Sequence, residues 1–355
     1  MAAQDKVRIL FVLPKPEPPE LVVGLVAKFP ALEPSWICTG SQFGEGHPDN
    51  EVYKDVNILV TLSALPPTLE EAPVLKYIHF VSSGTNHLVN HPIYTGTKLP
   101  LTTSRGVMGP PIAEWVIMTS LVHDHHYNRI RELQLQGTWG KSDIFWTSRD
   151  AVKKRIGILG YGAIGRHVGR IAKAMGMDVY VFTATPKTTP EQRRDSGWAV
   201  PNTGDPEGTI PSKWFHGLDK PSLHDFLKQD LDHVVLSLPL TPQTTGLFST
   251  EEFGILSKKK ALVSNISRGQ VIDQPALIAA LKEGKIRGAS LDVTDPEPLP
   301  DNHELWKVPN VIVSPHVSGL VSTGVERIFE ILTENLERLF SGQELVNLVR
   351  RETGY

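Results

Sequence analysis

Short apolar runs of strand length alternate with longer amphipathic stretches along most of the 355-residue chain. An apolar run of about four to eight residues fits a buried strand, whereas apolar residues that recur every three or four positions fit one face of a helix. Strands that alternate with helices pair in parallel, so the pattern predicts an α/β fold. The predicted strands span 7–13, 57–61, 77–81, 99–102, 156–159, 178–182, 233–238, 261–264, 286–291 and 311–313.

Two stretches interrupt this alternation. Residues 112–135 have helical composition and few helix breakers, and Pro110 and Pro111 stand before them, where the first turn of a helix tolerates proline. These residues predict one long helix. Residues 184–221 instead carry repeated prolines and glycines and predict a long loop, of the kind that is usually functional or mobile. Trp198 indicates that part of this loop packs down onto the protein.

The most informative motif is Gly160-Tyr-Gly-Ala-Ile-Gly165, a G-x-G-x-x-G between an apolar strand and an amphipathic helix. That order of elements is the context that a dinucleotide-binding fingerprint requires. Gly160 allows a tight turn, Gly162 lets a pyrophosphate approach the backbone, and Gly165 lets helix and strand pack closely. The free N–H groups at the helix start, which include Ala163 and Ile164, then face the phosphates. We expect nucleotide binding here, the alternative being an ordinary tight turn.

Composition narrows the class of protein. Hydrophobic residues make up 40% and charged residues 21% of the chain, a balance typical of globular proteins, and the length suits about two domains. The formal net charge of -3 does not indicate a surface for nucleic acid or membrane. The single cysteine, Cys38, can form no internal disulfide, and the first residues lack the apolar core of a signal peptide. We therefore expect a cytoplasmic protein without nucleic-acid or membrane partners.

Three further stretches follow the fingerprint, each directly after a predicted strand. They are Ser264-Asn-Ile-Ser-Arg-Gly-Gln-Val-Ile-Asp273, Leu291-Asp-Val-Thr-Asp-Pro-Glu-Pro-Leu-Pro300 and Ser314-Pro-His-Val-Ser-Gly319. In this order and spacing the chain resembles the D-isomer-specific 2-hydroxyacid dehydrogenase family, whose catalytic set is an Arg, a Glu and a His at these motifs. The resemblance covers residues 81–347 and is weakest over 184–221, where the chain is most similar to fungal members.

The resemblance implies two α/β domains. Residues 1–120 and 322–355 would form a discontinuous, flavodoxin-like substrate domain. Residues 121–321 would form a Rossmann-type NAD(P)-binding domain with a doubly wound parallel sheet. The family is also usually homodimeric through its cofactor domain, so the resemblance implies a homodimer.

The same resemblance implies hydride transfer between a nicotinamide and the C2 carbon of a 2-oxo acid. His316 would give a proton to the carbonyl oxygen, since histidine titrates near neutral pH. Glu297 would pair with His316, and a nearby carboxylate raises the pKa of an imidazole. Arg268 would bind the substrate carboxylate with its planar fork, opposite the backbone N–H groups of Ser83 and Gly84. Singly, each of these residues has an ordinary explanation as a surface or loop residue.

The remaining cofactor contacts are implied by the resemblance at other strand ends. Asp292 would accept a hydrogen bond from the nicotinamide amide. The other residues implied as cofactor contacts are Leu238, Pro239, Thr244, Ile266, Ser267, His316, Ser318 and Gly319.

The choice between NADP and NAD depends on the end of the strand that follows the fingerprint. An NAD site usually places an acid there, about 20 residues beyond the fingerprint. This chain instead has Thr183, Thr185 and Lys187, which permit the 2′-phosphate that an acid would repel. Arg193 and Arg194 could fold over the same phosphate, or they could be a solvated face of the loop. We favour NADP over NAD.

Two other interpretations of the motifs are weaker. His123 and His126 are spaced like metal ligands on one helix face, but no second ligand cluster follows, so we expect no metal. Nucleotide-sensing corepressors share the fold and the Arg-Glu-His set, and a binding protein of that kind is the alternative function. The chain has short termini of unbiased composition, which argue against it. The leading prediction is a reductase of glyoxylate, hydroxypyruvate or a bulkier 2-keto acid.

Overall fold

The computed structural model describes residues 6–40, 48–85, 88–141 and 143–351, and the chain divides into two compact units. One unit comprises Met1–Val107 and Ser322–Tyr355, and the other comprises Met108–Val321. In chain order the elements are β1 (Val7–Leu13), α1 (Pro19–Lys28), β2 (Leu32–Cys38), β3 (Ile58–Thr61), β4 (Tyr77–Phe80), α2 (Pro92–Gly96), β5 (Leu101–Thr103), α3 (Gly109–Asp124), α4 (Tyr127–Leu135), β6 (Arg155–Leu159), α5 (Ala163–Ala174), β7 (Asp178–Thr183), α6 (Pro190–Arg193), β8 (Lys213–His216), α7 (Lys220–Leu227), β9 (His233–Leu236), α8 (Thr250–Leu256), β10 (Leu262–Asn265), α9 (Gln274–Lys282), β11 (Gly288–Leu291), β12 (Val311–Val313) and α10 (Gly324–Phe340).

The first unit is built on a five-stranded parallel sheet in the order β2-β1-β3-β4-β5. This order is that of flavodoxin-like folds and confirms the predicted fold class. The hydrophobic pattern missed β2 because this edge strand is only half buried, with Pro34 and Ser35 exposed in its middle. The helices α1 and α10 cover one face of the sheet through a core that includes Leu25, Phe329 and Leu332.

The second unit is built on a seven-stranded parallel sheet in the order β12-β11-β10-β9-β6-β7-β8. The chain enters at β6, proceeds to the edge at β8, and returns to β9 on the other side of β6. This is the doubly wound Rossmann arrangement that was predicted. The direction reverses between β6 and β9, and ligands of such sheets bind beyond the strand ends at this point.

The stretch predicted as one helix over 112–135 forms two helices, so that prediction is wrong. The helix α3 ends at Asp124, His126 takes a left-handed conformation with φ of 54°, and α4 begins at Tyr127. The break follows from tertiary contacts, because the Asp124 carbonyl accepts from the backbone of Arg149 and its carboxylate pairs with Arg287 at 2.7 Å. No glycine or proline marks this position in the sequence.

The boundary between the units lies before α3, whereas residue 120 falls inside this helix. The reason is packing: Ala113 and Val116 of α3 belong to the same apolar core as Ile158 and Val168. Which unit binds the substrate and which binds the cofactor stays a prediction.

The predicted loop over 184–221 also contains regular structure. Lys213–His216 forms the edge strand β8, and α6 supplies one short helical turn. This strand is four residues long, and its buried and exposed positions alternate only weakly, so the hydrophobic pattern did not predict it. Within the described residues, we find no helix with the length and apolar character needed to cross a bilayer. The cytoplasmic location stays a prediction.

Candidate active site

The glycine turn brings three backbone segments together at the switch point of the second sheet. Gly160 has φ of +90°, and a Cβ there would overlap the carbonyl oxygen of Ser237, which follows β9. A Cβ on Gly165 would overlap the carbonyl oxygen of Gly160. Only residues without a side chain fit at either position, so strand, turn and helix are in backbone contact as the fingerprint predicts.

The start of α5 is suited to binding an anion. Gly162 is the N-cap residue in an extended conformation, and no side chain caps the helix. The N–H groups of Ala163, Ile164 and Gly165 in the first turn therefore lack the partners that a capping side chain would supply. Together with the glycine turn, which admits close approach, this end of α5 fits the pyrophosphate of a dinucleotide.

His316 and Glu297 form a direct pair. The Nδ1 atom of His316 lies 2.6 Å from Oε1 of Glu297, and 43% of the His316 side chain is exposed. Because Nδ1 is engaged by the carboxylate, Nε2 is the ring nitrogen left for a reacting group. The expected pairing of these two residues is therefore present in the structure.

The loop that carries His316 is held by Asp292. His316 has φ of 54°, a conformation that non-glycine residues rarely adopt, and its N–H donates to the Asp292 carbonyl at 2.9 Å. The Asp292 carboxylate is 2% exposed and accepts from four donors: the Ser314 hydroxyl, the Val317 N–H, and the N–H and hydroxyl of Ser318. Asp292 thus fixes the backbone on both sides of His316, a task the motifs did not reveal. Its contact with the nicotinamide amide stays a prediction.

Arg268 lies in a tight turn after β10. Asn265 holds this turn, because its amide donates to the Arg268 carbonyl at 3.0 Å and accepts from the Ser267 N–H at 3.1 Å. A Cβ on Gly269 would overlap the carbonyl oxygen of Thr294, so the turn is pressed against the loop that leads to Glu297. The glycine after Arg268 is the sequence signal for this close approach.

The charges of this cluster act on one another. Burial by itself would raise the pKa of Glu297, but the hydrogen bond and charge of His316, with a smaller effect of Arg268, hold this pKa below its usual value. Burial lowers the pKa of Arg268, and the charge of Glu297 opposes that shift. The three residues implied as the catalytic set are thus electrostatically coupled, with the pKa of Glu297 held below its usual value by the other two.

The end of β7 carries hydroxyl and basic groups. The hydroxyl of Thr183 donates to the carbonyl of Thr185 at 2.8 Å, and Nε of Arg193 donates to the carbonyl of Lys187 at 3.0 Å. The guanidinium of Arg194 instead forms an ion pair with Glu207, at 2.7 Å. Of the two arginines considered, Arg193 is the one that contacts the loop after β7.

The loop after β9 is braced by Thr244. Its hydroxyl donates to the Pro239 carbonyl at 2.8 Å and accepts from the Thr241 N–H at 2.8 Å. Leu238 lies next to Gly160, so this loop borders the glycine turn. Ile266 is buried directly after the neighbouring strand β10. Ser318 and Gly319 lie at the C-terminal end of the loop that carries His316.

Ser83 and Gly84 belong to the other unit, where they follow β4. The Ser82 hydroxyl donates to the Gly84 carbonyl at 2.9 Å, and the Ser104 N–H donates to the Ser82 carbonyl at 3.0 Å. The loop is therefore braced from its own unit, with Ser83 exposed.

His123 and His126 do not share a helix, because α3 ends between them. Nε2 of His123 lies 3.2 Å from the Ala289 carbonyl, and burial lowers the pKa of His123 to about 4. His126 contacts the Thr147 hydroxyl instead. The two histidines therefore have separate structural contacts.

Sequence comparisons agree with these motifs. A family model described as "D-isomer specific 2-hydroxyacid dehydrogenase, NAD binding domain" matches residues 117–201 and 205–318. A glyoxylate reductase from Thermofilum pendens is 31% identical over 286 residues, which are 80% of this chain and 77% of that protein. A glyoxylate reductase from Pyrococcus horikoshii is 30% identical over 309 residues, 84% of each.

Solved structures show the same architecture. A D-isomer specific 2-hydroxyacid dehydrogenase from Xanthobacter autotrophicus Py2, in complex with NADPH and MES, matches with a TM-score of 0.75 at 28% identity, covering 99% of this chain and 100% of that one. An NADPH-dependent glyoxylate/hydroxypyruvate reductase from Sinorhizobium meliloti, in complex with NADP and sulfate, matches with a TM-score of 0.75 at 25% identity and the same coverage. These relatives lend no support to the corepressor alternative. The particular similarity to fungal members stays a prediction.

We expect the His316→Asn substitution to raise the pKa of Glu297. Asparagine tolerates the left-handed backbone at this position but carries no charge, so the raising effect of burial is less opposed. Carbon-13 NMR titration of glutamate carboxyl groups measures the shift, with His125→Asn, an exposed site, as control. An unchanged Glu297 pKa in the His316→Asn variant would show that His316 is not the cause.

Proposed function

Because the chain belongs to the D-isomer-specific 2-hydroxyacid dehydrogenase family, we propose that it reduces a 2-oxo acid to the D-2-hydroxy acid with NADPH. Family membership makes it an NAD(P)-dependent oxidoreductase. The observation that carries the proposal is the 2.6 Å pair of His316 and Glu297, which is electrostatically coupled to the partly buried Arg268. Glyoxylate and hydroxypyruvate are the first substrates to test, because relatives with these activities match over most of the chain.

The proton for the carbonyl oxygen comes from His316. A bound dihydronicotinamide supplies the hydride that reaches C2 of the substrate. Glu297 holds Nδ1 of His316, so Nε2 presents the proton, and the carboxylate stabilises the imidazolium before transfer. The Asp292 contacts keep the His316 backbone in its rare conformation, so the ring has one orientation relative to the turn at Arg268.

We assign to Arg268 the role of binding the carboxylate of the substrate. A guanidinium offers two parallel N–H donors to a carboxylate, and its positive charge also polarises the neighbouring carbonyl. We assign the backbone N–H groups of Ser83 and Gly84 to the other side of this carboxylate. In this assignment the unit of residues 1–107 and 322–355 serves the substrate, and the unit of residues 108–321 serves the cofactor.

The preference for NADPH is supported by the end of β7. No acid stands at the position where an NAD site places one, and Thr183, Thr185 and Lys187 occupy this loop with Arg193 against it. The NADPH and NADP complexes of the structural relatives support the same choice.

A homodimer through the cofactor-binding unit is supported by its exposed aromatic residues. Trp139 is 99% exposed and Trp146 is 87% exposed, and both follow α4, on which Leu135 is also exposed. Large apolar side chains exposed between residues 135 and 146 are typical of a protein interface. A second copy of the chain is the partner we assign to them.

His316→Asn is expected to lower kcat for NADPH-dependent reduction by about 10²- to 10⁴-fold, the usual contribution of a general acid. The loss of NADPH absorbance is followed with a panel of 2-oxo acids that includes glyoxylate and hydroxypyruvate, with His125→Asn as the matched control. If the wild-type protein reduces none of these 2-oxo acids, the proposed activity is wrong. Full activity of the His316→Asn variant would remove the assigned role.

Lys187→Ala is expected to raise KM for NADPH roughly tenfold and to leave KM for NADH unchanged, as the loss of one charge-assisted hydrogen bond predicts. Steady-state kinetics with both cofactors measure the change, and Lys228→Ala, on an exposed face of the same unit, serves as control. Equal or better use of NADH by the wild-type protein would contradict the NADPH preference.

Replacing Trp139 and Trp146 by serine is expected to shift the protein from dimer to monomer, because buried tryptophans dominate interface energy. Sedimentation velocity at micromolar concentration distinguishes the two states. Trp306→Ser, at a half-exposed tryptophan elsewhere on the same unit, is expected to remain dimeric. A monomeric wild-type protein would contradict the assignment.

A further inference from the structure

The insertion between β7 and β8, residues 184–212, is fastened to the fingerprint helix by polar side chains. Arg170 donates to the Gly204 carbonyl at 3.2 Å, and Nε2 of His167 lies 2.8 Å from the Thr203 hydroxyl. Arg166, only 7% exposed, reaches the same segment. Arginine is rarely buried unless it is paired, so this face of α5 is specialised for holding the insertion.

Asp205 is the centre of this attachment. The residue is 5% exposed, and its Oδ2 accepts from the Tyr161 hydroxyl at 2.8 Å and from the Ile210 N–H at 3.1 Å. Its Oδ1 accepts from the Thr209 N–H at 3.0 Å, and its carbonyl accepts from Arg166. Tyr161 is the residue between the first two glycines of the fingerprint, so Asp205 joins the phosphate-binding turn directly to the insertion.

The attachment continues to the end of β7 through Arg193. Arg166 donates to the Arg193 carbonyl at 2.6 Å, and a Cβ on Gly208 would overlap that same carbonyl. The Arg193 guanidinium lies over the Trp214 ring, 5.6 Å from its centroid, while its Nε binds the Lys187 carbonyl. Arg193 and the backbone of Lys187, in the loop after β7, are thus held by contacts that originate at Asp205 and Arg166.

In the hydrogen bond between Tyr161 and Asp205, the phenol is the donor and the carboxylate is the acceptor. Burial, together with the charge and hydrogen bond of Asp205, raises the pKa of Tyr161, so the phenol stays protonated and donates. Asp205 therefore receives donors on both oxygens, an arrangement that a carboxylate satisfies and an amide does not.

We propose that Asp205 is a positioning residue for cofactor selectivity, which holds the insertion on the fingerprint helix so that Arg193 and Lys187 are in place for the 2′-phosphate of the cofactor. This inference rests on the proposed use of NADPH and assigns the structural basis of that preference.

The substitution Asp205→Asn separates positioning from simple electrostatics. Removing a negative charge near two basic residues would by itself strengthen phosphate binding. An amide, however, turns its NH₂ group toward a donor in either orientation, which breaks a buried hydrogen bond and loosens the insertion. Positioning therefore predicts weaker binding of a 2′-phosphate, the opposite sign to the charge effect.

Isothermal titration of the full-length protein with adenosine 2′,5′-bisphosphate and with ADP tests the proposal without turnover. We expect the wild-type protein to prefer the bisphosphate. Asp205→Asn is expected to weaken bisphosphate binding about tenfold, the value of one buried hydrogen bond, and to leave ADP binding unchanged. Glu207→Gln makes the same charge change at an exposed carboxylate two positions away, and we expect wild-type or tighter binding.

Each other outcome overturns the inference. Wild-type bisphosphate affinity in Asp205→Asn would show that positioning is not needed, and an equal loss for both ligands would show a general structural role. A wild-type protein without preference for the bisphosphate would instead refute the proposed use of NADPH, and the inference with it. If circular dichroism shows that Asp205→Asn is unfolded, Tyr161→Phe, which removes only the hydroxyl donor, is judged by the same criteria.

Discussion

The second unit depends on backbone contact at the switch point of its sheet. Gly160 touches the chain after β9, and Gly165 touches Gly160, with no room for a side chain at either place. This contact ends β6, turns the chain and starts α5 with its N–H groups uncapped. The same point is where the strand order reverses, and ligands of doubly wound sheets bind beyond the strand ends at such a point.

Around this turn, three short polar side chains each hold one loop. Asp292 fixes the His316 loop, Asn265 fixes the turn at Arg268, and Asp205 fixes the insertion after β7. All three are buried and accept backbone N–H donors, which is a strong and directional way to order a segment that has no regular structure. His316 can then remain partly exposed and still have a defined position.

Much of the fold follows from local pattern. The strands β1 and β12 have the predicted bounds, and both sheets have the predicted class, because alternation of apolar runs and amphipathic stretches is visible without tertiary information. The edge strands β2 and β8 were missed, since a half-buried edge strand shows only weak alternation. The break at His126 was missed because contacts with distant residues, among them Arg149, impose it.

The sequence by itself determined the glycine turn and the motifs that carry Arg268, Glu297 and His316, because a missing Cβ and a chemical side chain are properties of single positions. The tertiary structure alone decided that Nδ1 of His316 meets Glu297 and that Asp292 and Asp205 become buried acceptors. Burial and hydrogen bonding join residues far apart in the chain, as Tyr161 and Asp205 show. What each polar residue does therefore depends on partners that no local pattern names.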